Sequence, residues 1–213
     1  MPSVTILISA FNEEKIIGRK IENSLNINYP SDLIQILVVS DGSTDDTDNI
    51  TKSFKEIDFI RLEHQGKTNA QNESIKSATG EIIIFSDANS IYEPNAVKHL
   101  VKWFNDPMIG CVCGELKYDG KSNEGLYWKY EKILKRLESR IGKLLGANGG
   151  IYAIRKSDYI ALPTDSISDF LEPLLIFGNG KDIVYEEQAK AIEPVPKSVY
   201  CLLYTSPSPR DQR

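Results

Sequence analysis

The chain has 213 residues, of which 41% are hydrophobic and 26% charged, and its formal net charge is −5 at pH 7. This length and composition are typical of one globular domain that buries a core without disulfide bonds. The negative charge argues against nucleic acid as the main partner, because surfaces that bind phosphate backbones are basic. The sequence has three cysteines without zinc-like spacing, no secretory signal and no apolar run of 18 residues. We therefore expect this polypeptide to be cytoplasmic.

The first half of the chain alternates short apolar runs with helical patterns. Runs rich in Val and Ile predict strands of a parallel sheet, buried on both faces, at 4–8, 36–39 and 82–85. Helical patterns follow them at 13–27, 45–54 and 67–78, and the first has one apolar stripe, formed by Ile17, Ile21 and Leu25. This order predicts an α/β fold: a single Rossmann-like domain with a mainly parallel central sheet flanked by helices.

The second half is predicted to add three more strands and two helices. Strands are expected at 109–118, 151–154 and 183–185, and a short helix at 169–177. The segment 122–145 predicts a long amphipathic helix, whose basic side chains form either a solvated face or a surface toward an acceptor or a membrane. The glycine-rich segment 146–150 ends this helix.

Acidic residues follow three of the predicted strands. Glu13, Asp41 and Asp87 come where these strands end, and the carboxyl ends of parallel strands meet at one edge, where α/β sheets bind ligands. Neither glycine-rich phosphate-binding fingerprint is present, so a metal ion is expected to neutralise a bound diphosphate. Asp87 and Asn89 offer the oxygen ligands that Mg²⁺ and Mn²⁺ prefer. The alternative is that these acidic residues only cap helices.

Four segments at these strand ends resemble the signature blocks of the family-two glycosyltransferases. They read SAFNEE at 9–14, VSDGSTDDT at 39–47, GKTNAQN at 66–72 and SDAN at 86–89. Two more, GANGGIYAIR at 146–155 and SDFLEPL at 168–174, resemble the processive-type branch, which includes cellulose, chitin and hyaluronan synthases and bacterial polysaccharide N-acetylglucosaminyltransferases. The resemblance covers roughly residues 3–196 and implies a GT-A fold and an enzyme that inverts the anomeric centre.

The resemblance implies that five residues bind the nucleotide. Phe11 and Glu13 would line the nucleoside pocket, and Asp41 would accept a hydrogen bond from a uracil ring. Lys67 would lie near the nucleotide and offset its charge, and Asp87 matches the first Asp of the D-x-D motif, which orients the metal and diphosphate. Alternatives remain for two of them, since Phe11 also fits a core position and Lys67 a helix cap or an exposed site.

Four further residues complete the site that the resemblance implies. Asn89 replaces the second Asp of D-x-D, which makes direct metal ligation by this residue doubtful. Asn148 and Gly149 would face the donor sugar or the acceptor, unless they form only a turn. Asp169 matches the catalytic base, and its alternative role is an N-cap. His64 has no match in these blocks and is interpreted as structural or exposed, as is His99.

The expected activity is transfer of a sugar from a nucleotide-sugar donor, with a UDP-sugar as the expected donor, to a hydroxyl of a sugar or lipid-linked acceptor, in polysaccharide or glycoconjugate synthesis. We expect residues 1–197 to form the catalytic domain with its C-terminal part missing, and 198–213 to be a non-native or disordered tail. An Arg-rich helix that normally follows in this branch is not found, so the alternative is a nucleotide-sugar-binding fragment without turnover. The parent protein is expected to be membrane-associated through missing C-terminal helices, with a cytoplasmic catalytic domain.

Overall fold

The structure, a computed structural model, describes residues 1–119, Lys135 and residues 146–194. An eight-stranded sheet forms its centre, in the order β3-β2-β1-β4-β7-β6-β8-β5. The strands are β1 (Val4–Ala10), β2 (Ile34–Asp41), β3 (Asp58–Leu62), β4 (Ile82–Asp87), β5 (Ile91–Tyr92), β6 (Ile109–Asp119), β7 (Tyr152–Arg155) and β8 (Asp182–Pro194). The helices are α1 (Ile17–Leu25), α2 (Thr47–Ser53), α3 (Lys67–Ser74), α4 (Ala96–Val101) and α5 (Ser168–Gly178).

The sheet is parallel in its first half and mixed in its second. Strand β1 lies between β2 and β4, β3 extends the sheet beyond β2, and all three pairings are parallel. Strand β7 is antiparallel to both β4 and β6, β8 is parallel to β6, and β5 is antiparallel to β8. The predicted mainly parallel sheet is therefore confirmed, with β7 and β5 as antiparallel additions.

Parallel register places the ends of β1, β2 and β4 along one edge of the sheet. Ser9 pairs with Asp87, and Ala10 pairs with Ser40, the residue before Asp41. The chain is fully buried on both faces here, as Ile6, Leu7 and Ile8 in β1 are 0% exposed. Consecutive buried residues of this kind are typical of a sheet covered by helices on both sides. The expectation that polar residues collect at this edge therefore follows from the register.

The apolar stripe predicted for α1 is only partly correct. Ile17 and Ile21 are 0% exposed, but Leu25 is 39% exposed. Residues spaced by four drift about 40° around a helix at each step, so the third member of the row turns away from the core. Lys20 and Ser24 are buried instead.

Some predicted elements fall outside the described residues, and others were not predicted. The helix expected at 122–145 lies outside them except for Lys135, and so does the tail expected at 198–213. Strand β8 extends well beyond the predicted 183–185, and β3, β5 and α4 had no counterpart in the sequence analysis. Within the part of the chain that the structure describes, no helix is both long and apolar enough to cross a bilayer.

Candidate active site

Lys67 and Asp87 form an ion pair at the carboxyl edge of the sheet. Asp87 is the last residue of β4, and Lys67 is the first residue of α3, so each position follows from where its element begins or ends. Burial lowers the pKa of Lys67, but attraction to Asp87, Asp169 and Glu193 outweighs burial and raises the pKa above its ordinary value. Lys67 is therefore a firmly charged cation among several carboxylates.

Asp169 joins this pair from helix α5, of which it is the second residue. A Cβ added to Gly149 would lie 2.5 Å from Oδ2 of Asp169 and 3.2 Å from Nζ of Lys67, so both groups converge on the Gly149 backbone. Burial raises the pKa of Asp169, the positive charge of Lys67 lowers it, and repulsion by Asp87 raises it again. The net result is a pKa above the ordinary value, as suits a group that accepts a proton.

A proline inside α5 helps to explain the position of Asp169. Pro173 has no backbone N–H, so the carbonyl of Asp169, four residues earlier, lacks its usual partner within the helix. That carbonyl instead accepts a hydrogen bond from the backbone N–H of Ala147, at 2.7 Å. The helix that carries Asp169 is thus tied to the segment that carries Gly149.

A second polar cluster lies on the other side of this segment, at Gly150. A Cβ on Gly150 would collide with Oγ of Ser90 and lie 2.5 Å from Oε1 of Glu193. The Ser90 hydroxyl donates a short hydrogen bond to that same Glu193 oxygen, and the Tyr92 hydroxyl donates to the Gly150 carbonyl at 3.1 Å. Burial raises the pKa of Glu193, an effect opposed by the hydrogen bond from Ser90.

The nucleoside end of the predicted site is organised by Asp41, which is 4% exposed. Its two carboxylate oxygens accept hydrogen bonds from the backbone N–H groups of Gln65 and Gly66, each at 2.9 Å. Nδ1 of His64 lies 2.8 Å from Oδ2 of Asp41. The carboxylate thus holds the loop between β3 and α3, and that loop reaches a φ of 94° at Gly66, a value that favours glycine.

Phe11 lies beside this loop and is exposed, so its interpretation as a core residue is wrong. It is 43% exposed, and its ring stacks on His64 with 4.2 Å between ring centroids and an interplanar angle of 17°. His64 is exposed as expected, but it has two partners that the sequence did not reveal. Glu13 lies at the same edge, where burial and repulsion by Asp87 and Asp45 raise its pKa.

Asn148 connects the glycine-rich segment to strand β6. Its Nδ2 donates to the carbonyl of Gly114 at 2.7 Å, and its Oδ1 accepts from Nζ of Lys135 at 2.8 Å. Its backbone N–H contacts Sγ of Cys113 at 3.2 Å. These contacts fix the turn that presents Gly149, and they use the amide side chain for structure.

The fit of a divalent cation depends on Asp87 and Asn89. Oδ1 of Asn89 is buried and has no hydrogen-bond partner among the described residues. Those residues contain no cluster of three or more His, Cys, Asp or Glu suited to a metal. A cation such as Mg²⁺ usually takes one or two protein oxygens and completes its shell with phosphate and water. Asp87 and the unsatisfied Asn89 oxygen fit a metal of that kind, shared with a diphosphate.

Glu172 is a buried carboxyl on the same helix as Asp169. Its Oε2 accepts a hydrogen bond from Tyr152 Oη at 2.9 Å, whereas its Oε1 lacks a partner in the part of the chain that the structure describes. Burial raises the pKa of Glu172 to about 8, although the hydrogen bond from Tyr152 opposes the shift. The Tyr152 ring stacks on Phe85, with 4.7 Å between centroids. Glu172 is therefore held against the stacked rings of Tyr152 and Phe85.

Comparison with known proteins identifies related sequences. The family described as Glycosyl transferase family 2 matches residues 5–160. A probable glycosyltransferase, YdaM of Bacillus subtilis, is 35% identical over 126 residues, which are 55% of this chain and 30% of that relative. The poly-beta-1,6-N-acetyl-D-glucosamine synthase of Staphylococcus epidermidis is 27% identical over 92% of this chain. The chain spans about half the length of that synthase, 51%.

Solved structures share the fold. A mannosyltransferase from Pyrobaculum calidifontis, in complex with GDP-Man and Mn²⁺, has a TM-score of 0.77 at 24% identity and aligns over 93% of this chain and 59% of that one. TarS 1–349 of S. aureus, in complex with UDP-GlcNAc, has a TM-score of 0.75 at 17% identity and aligns over 97% of this chain and 61% of that one. At these identities the likeness establishes the GT-A fold alone, and it confirms the predicted fold class.

Proposed function

Because the chain belongs to glycosyl transferase family 2, we propose that it transfers a sugar from a nucleotide-sugar donor to an acceptor hydroxyl with inversion. A hexose or N-acetylhexosamine activated by UDP is the proposed donor, by analogy with the synthase named above and with TarS in complex with UDP-GlcNAc. The acceptor is proposed to be a sugar or a lipid-linked sugar, in polysaccharide or glycoconjugate synthesis.

One observation supports this proposal above the others: Lys67, which is paired with Asp87, and Asp169 converge on Gly149. A Cβ at Gly149 would lie 3.2 Å from Nζ of Lys67 and 2.5 Å from Oδ2 of Asp169. A cation suits the diphosphate of a donor, and a carboxylate with a raised pKa suits the hydroxyl of an acceptor. The absence of a side chain at Gly149 lets these two groups approach the same point of the backbone, because a Cβ there would clash with Asp169.

The proposed step is a direct displacement at the anomeric carbon. Asp169 removes the proton from the acceptor hydroxyl while the acceptor oxygen forms its bond to the anomeric carbon. The bond from that carbon to the phosphate oxygen breaks, and its electron pair leaves with the nucleoside diphosphate. Lys67 stabilises the charge that develops on the leaving oxygen. The proton ends on Asp169. Because the acceptor oxygen displaces the leaving group directly, no covalent enzyme intermediate is needed.

Asp87 and Asn89 are the proposed ligands of a divalent cation, Mg²⁺ or Mn²⁺. Such an ion supplies positive charge at the departing diphosphate when it is bound. Asp87 carries the only negative charge of this pair, so it is the stronger ligand, and Asn89 contributes a neutral oxygen that has no other use among the described residues.

The remaining predicted residues have supporting roles in this proposal. Phe11, stacked on His64, is proposed to offer an exposed aromatic face to the base, and Glu13, whose pKa is raised by burial and by the charge of Asp87, is proposed to line the same pocket. Asp41 is proposed to accept a hydrogen bond from the uracil ring, next to the loop at 64–66 that its carboxylate holds. Asn148 orients Gly149 toward the donor sugar or acceptor.

The whole protein is proposed to be membrane-associated, with this domain on the cytoplasmic side, and residues 1–197 are proposed to be the catalytic domain. The described residues contain no membrane-spanning helix, so a test of membrane association requires the full-length gene product. Fractionation of cells that express it would locate the protein directly. Recovery only in the supernatant after ultracentrifugation would contradict this part of the proposal.

A donor-turnover assay tests the central activity. The chain is incubated with UDP-GlcNAc, UDP-glucose or GDP-mannose and Mn²⁺, and release of the nucleoside diphosphate is followed by chromatography. We expect release from a UDP-sugar, and its loss in Asp169→Asn but not in the surface variant Lys52→Met. If the chain binds UDP but releases no nucleoside diphosphate from any of the three donors, it is a binding fragment without turnover. If it binds none of the three nucleotide sugars, the proposal is contradicted.

A further inference from the structure

Lys20 is a fully buried lysine behind the candidate active site. It lies on α1, its side chain is 0% exposed, and its Nζ donates a hydrogen bond to the carbonyl of Ser90 at 2.5 Å. The same Nζ lies 3.8 Å from the centroid of the Tyr92 ring, which is a cation–π contact. The ammonium therefore has two partners, both in the short segment that follows Asp87.

Apolar packing alone does not explain a lysine in this position. Burying an ammonium group in a protein core is unfavourable unless it is paired, and a Met side chain of similar length would fill the space without that cost. Burial lowers the pKa of Lys20 to about 7, while Asp87 and Glu193 oppose the shift. Lys20 is thus attracted by the charges of two carboxylates of the candidate site, although it lies behind the site and does not meet the sugar donor.

The segment that Lys20 contacts connects three parts of the site. The N–H of Ser90 donates to the carbonyl of Asp87 at 3.2 Å, which closes a turn. The Ser90 hydroxyl donates to Glu193 on β8, and the Tyr92 hydroxyl donates to the carbonyl of Gly150. Movement of the Ser90 carbonyl would consequently move Asp87 on one side and Gly150 on the other.

We propose that Lys20, acting through Ser90, is a positioning residue of the donor site: its ammonium fixes the turn from Asp87 to Ser90 and keeps it joined to Glu193 and Gly150. The role depends on the proposed function, since the donor diphosphate is what Asp87 would meet. Lys20 influences the position of Asp87 and contributes no group to the reaction. Its loss is therefore expected to raise the donor KM while leaving kcat within about threefold.

The substitution Lys20→Met tests this proposal, with Lys52→Met as its matched control. Lys52 is an exposed helical lysine with a looser cation–π contact, 5.5 Å from the Phe59 ring centroid, so the same change is made where no site residue is touched. Two measurements are made on the intact chain: UDP affinity with Mn²⁺ by calorimetry, and hydrogen–deuterium exchange of the peptide that covers residues 86–93.

We expect Lys20→Met to weaken UDP binding by about tenfold, because part of the binding free energy is then used to order the turn, and to speed exchange in residues 86–93. Lys52→Met is expected to change neither. Wild-type UDP affinity and wild-type exchange in Lys20→Met would overturn the role of Lys20. Absence of UDP binding in the wild-type chain itself would contradict the proposed function, while faster exchange in Lys20→Met would still support the anchoring of the turn.

If Lys20→Met does not fold, Ser90→Ala tests the other link of the same turn, the one to Glu193. It removes the bond to Glu193 and leaves Lys20 and the Ser90 carbonyl in place. The proposal predicts weaker UDP binding and faster exchange at 86–93 in this variant also. Unchanged values for both would show that the turn does not depend on its link to β8, which would overturn that part of the proposal.

Discussion

Lys67 contacts Oδ1 of Asp87 through its ammonium group, and each side chain is about one-third exposed to solvent, 38% and 34% respectively. The pair is therefore formed at the opening of the site, where a ligand can reach both charges. A diphosphate that approaches Lys67 must share it with Asp87, and a metal that approaches Asp87 must share it with Lys67. Because of this competition, removing the charge of Lys67 should change metal binding at Asp87, and removing the charge of Asp87 should change diphosphate binding at Lys67.

The substitution Lys67→Met is expected to lower UDP affinity by about 10- to 100-fold. It deletes the cation that meets the diphosphate, and charged hydrogen bonds contribute about 1.5–3 kcal/mol. Calorimetry measures the change, and Lys76→Met, on an exposed lysine paired with Glu73, is the control. An affinity equal to that of the control would remove Lys67 from the nucleotide site.

Divalent cations are expected to strengthen UDP binding by about tenfold or more. Asp87→Ala should abolish this gain, because it deletes the negatively charged ligand, while Asp46→Ala at an exposed carboxylate should preserve it. The measurement is a UDP titration in Mn²⁺ and again after EDTA. If EDTA leaves the wild-type affinity unchanged, the metal role of Asp87 and Asn89 is wrong.

Asp169→Asn separates a catalytic base from a residue that only stabilises the first turn of α5; the alternative role as an N-cap is wrong, because Ile167 is the N-cap of this helix. Asn has nearly the shape of Asp and caps no less well near a helix start, so folding and UDP affinity should remain normal. Transfer should fall by about 10²- to 10⁴-fold, the usual contribution of a positioned base. Because burial raises the pKa of Asp169, the wild-type rate should decline on acidification at a higher pH than an ordinary Asp would give. A variant that transfers at the wild-type rate would leave Asp169 with a role in the first turn of α5 alone.

Glu172 predicts a pH-dependent stability. Its pKa rises from 4.5 to about 8 on folding, so the folded state binds the proton more tightly, and this stabilisation is present below pH 4.5 and lost as the pH rises through 8. Glu172→Gln keeps the neutral shape, so its melting temperature should match wild type near pH 5 and exceed it near pH 9. At about 2–4 °C per kcal/mol for a chain of this size, a difference of several degrees is expected. Parallel melting curves at both pH values would contradict the shifted pKa.

The parallel half of the sheet was predictable because its strands are continuous apolar runs. The apolar runs predict β1, β2 and β4 to within two residues at each end, and with them the acidic residues at or just after the strand ends. Strand β3 was not, since its sequence DFIRL interrupts the apolar pattern with two charges at an edge of the sheet. Strand β8 was underestimated, because its second half pairs with β6 beyond a bulge at Gly114, which no local pattern announces.

The residues of the site divide in the same way. Those next to strand ends, such as Asp87 and Lys67, were identified from order along the chain and from family resemblance. Lys20, Ser90 and His64 were not, because their partners are 70, 103 and 23 residues away, respectively. For Lys20 there was one local signal of burial: it follows Ile17 by three residues on α1 and therefore lies near the buried face of that helix.

Gly149 and Gly150 limit which sequences can occupy this edge of the sheet. Neither has a positive φ, so their backbone suits any residue, but a single added methyl group would strike Asp169 at one position and Ser90 at the other. Gly178, at the end of α5, has nothing within 4 Å of the same added atom. In a library of single-residue changes, replacements at the first two codons should lower activity, because Asp169 or Ser90 must shift, while the third codon accepts many. The cluster at Gly149 and the cluster at Gly150 are thus separated by backbone alone, and any side chain introduced there must displace part of one cluster.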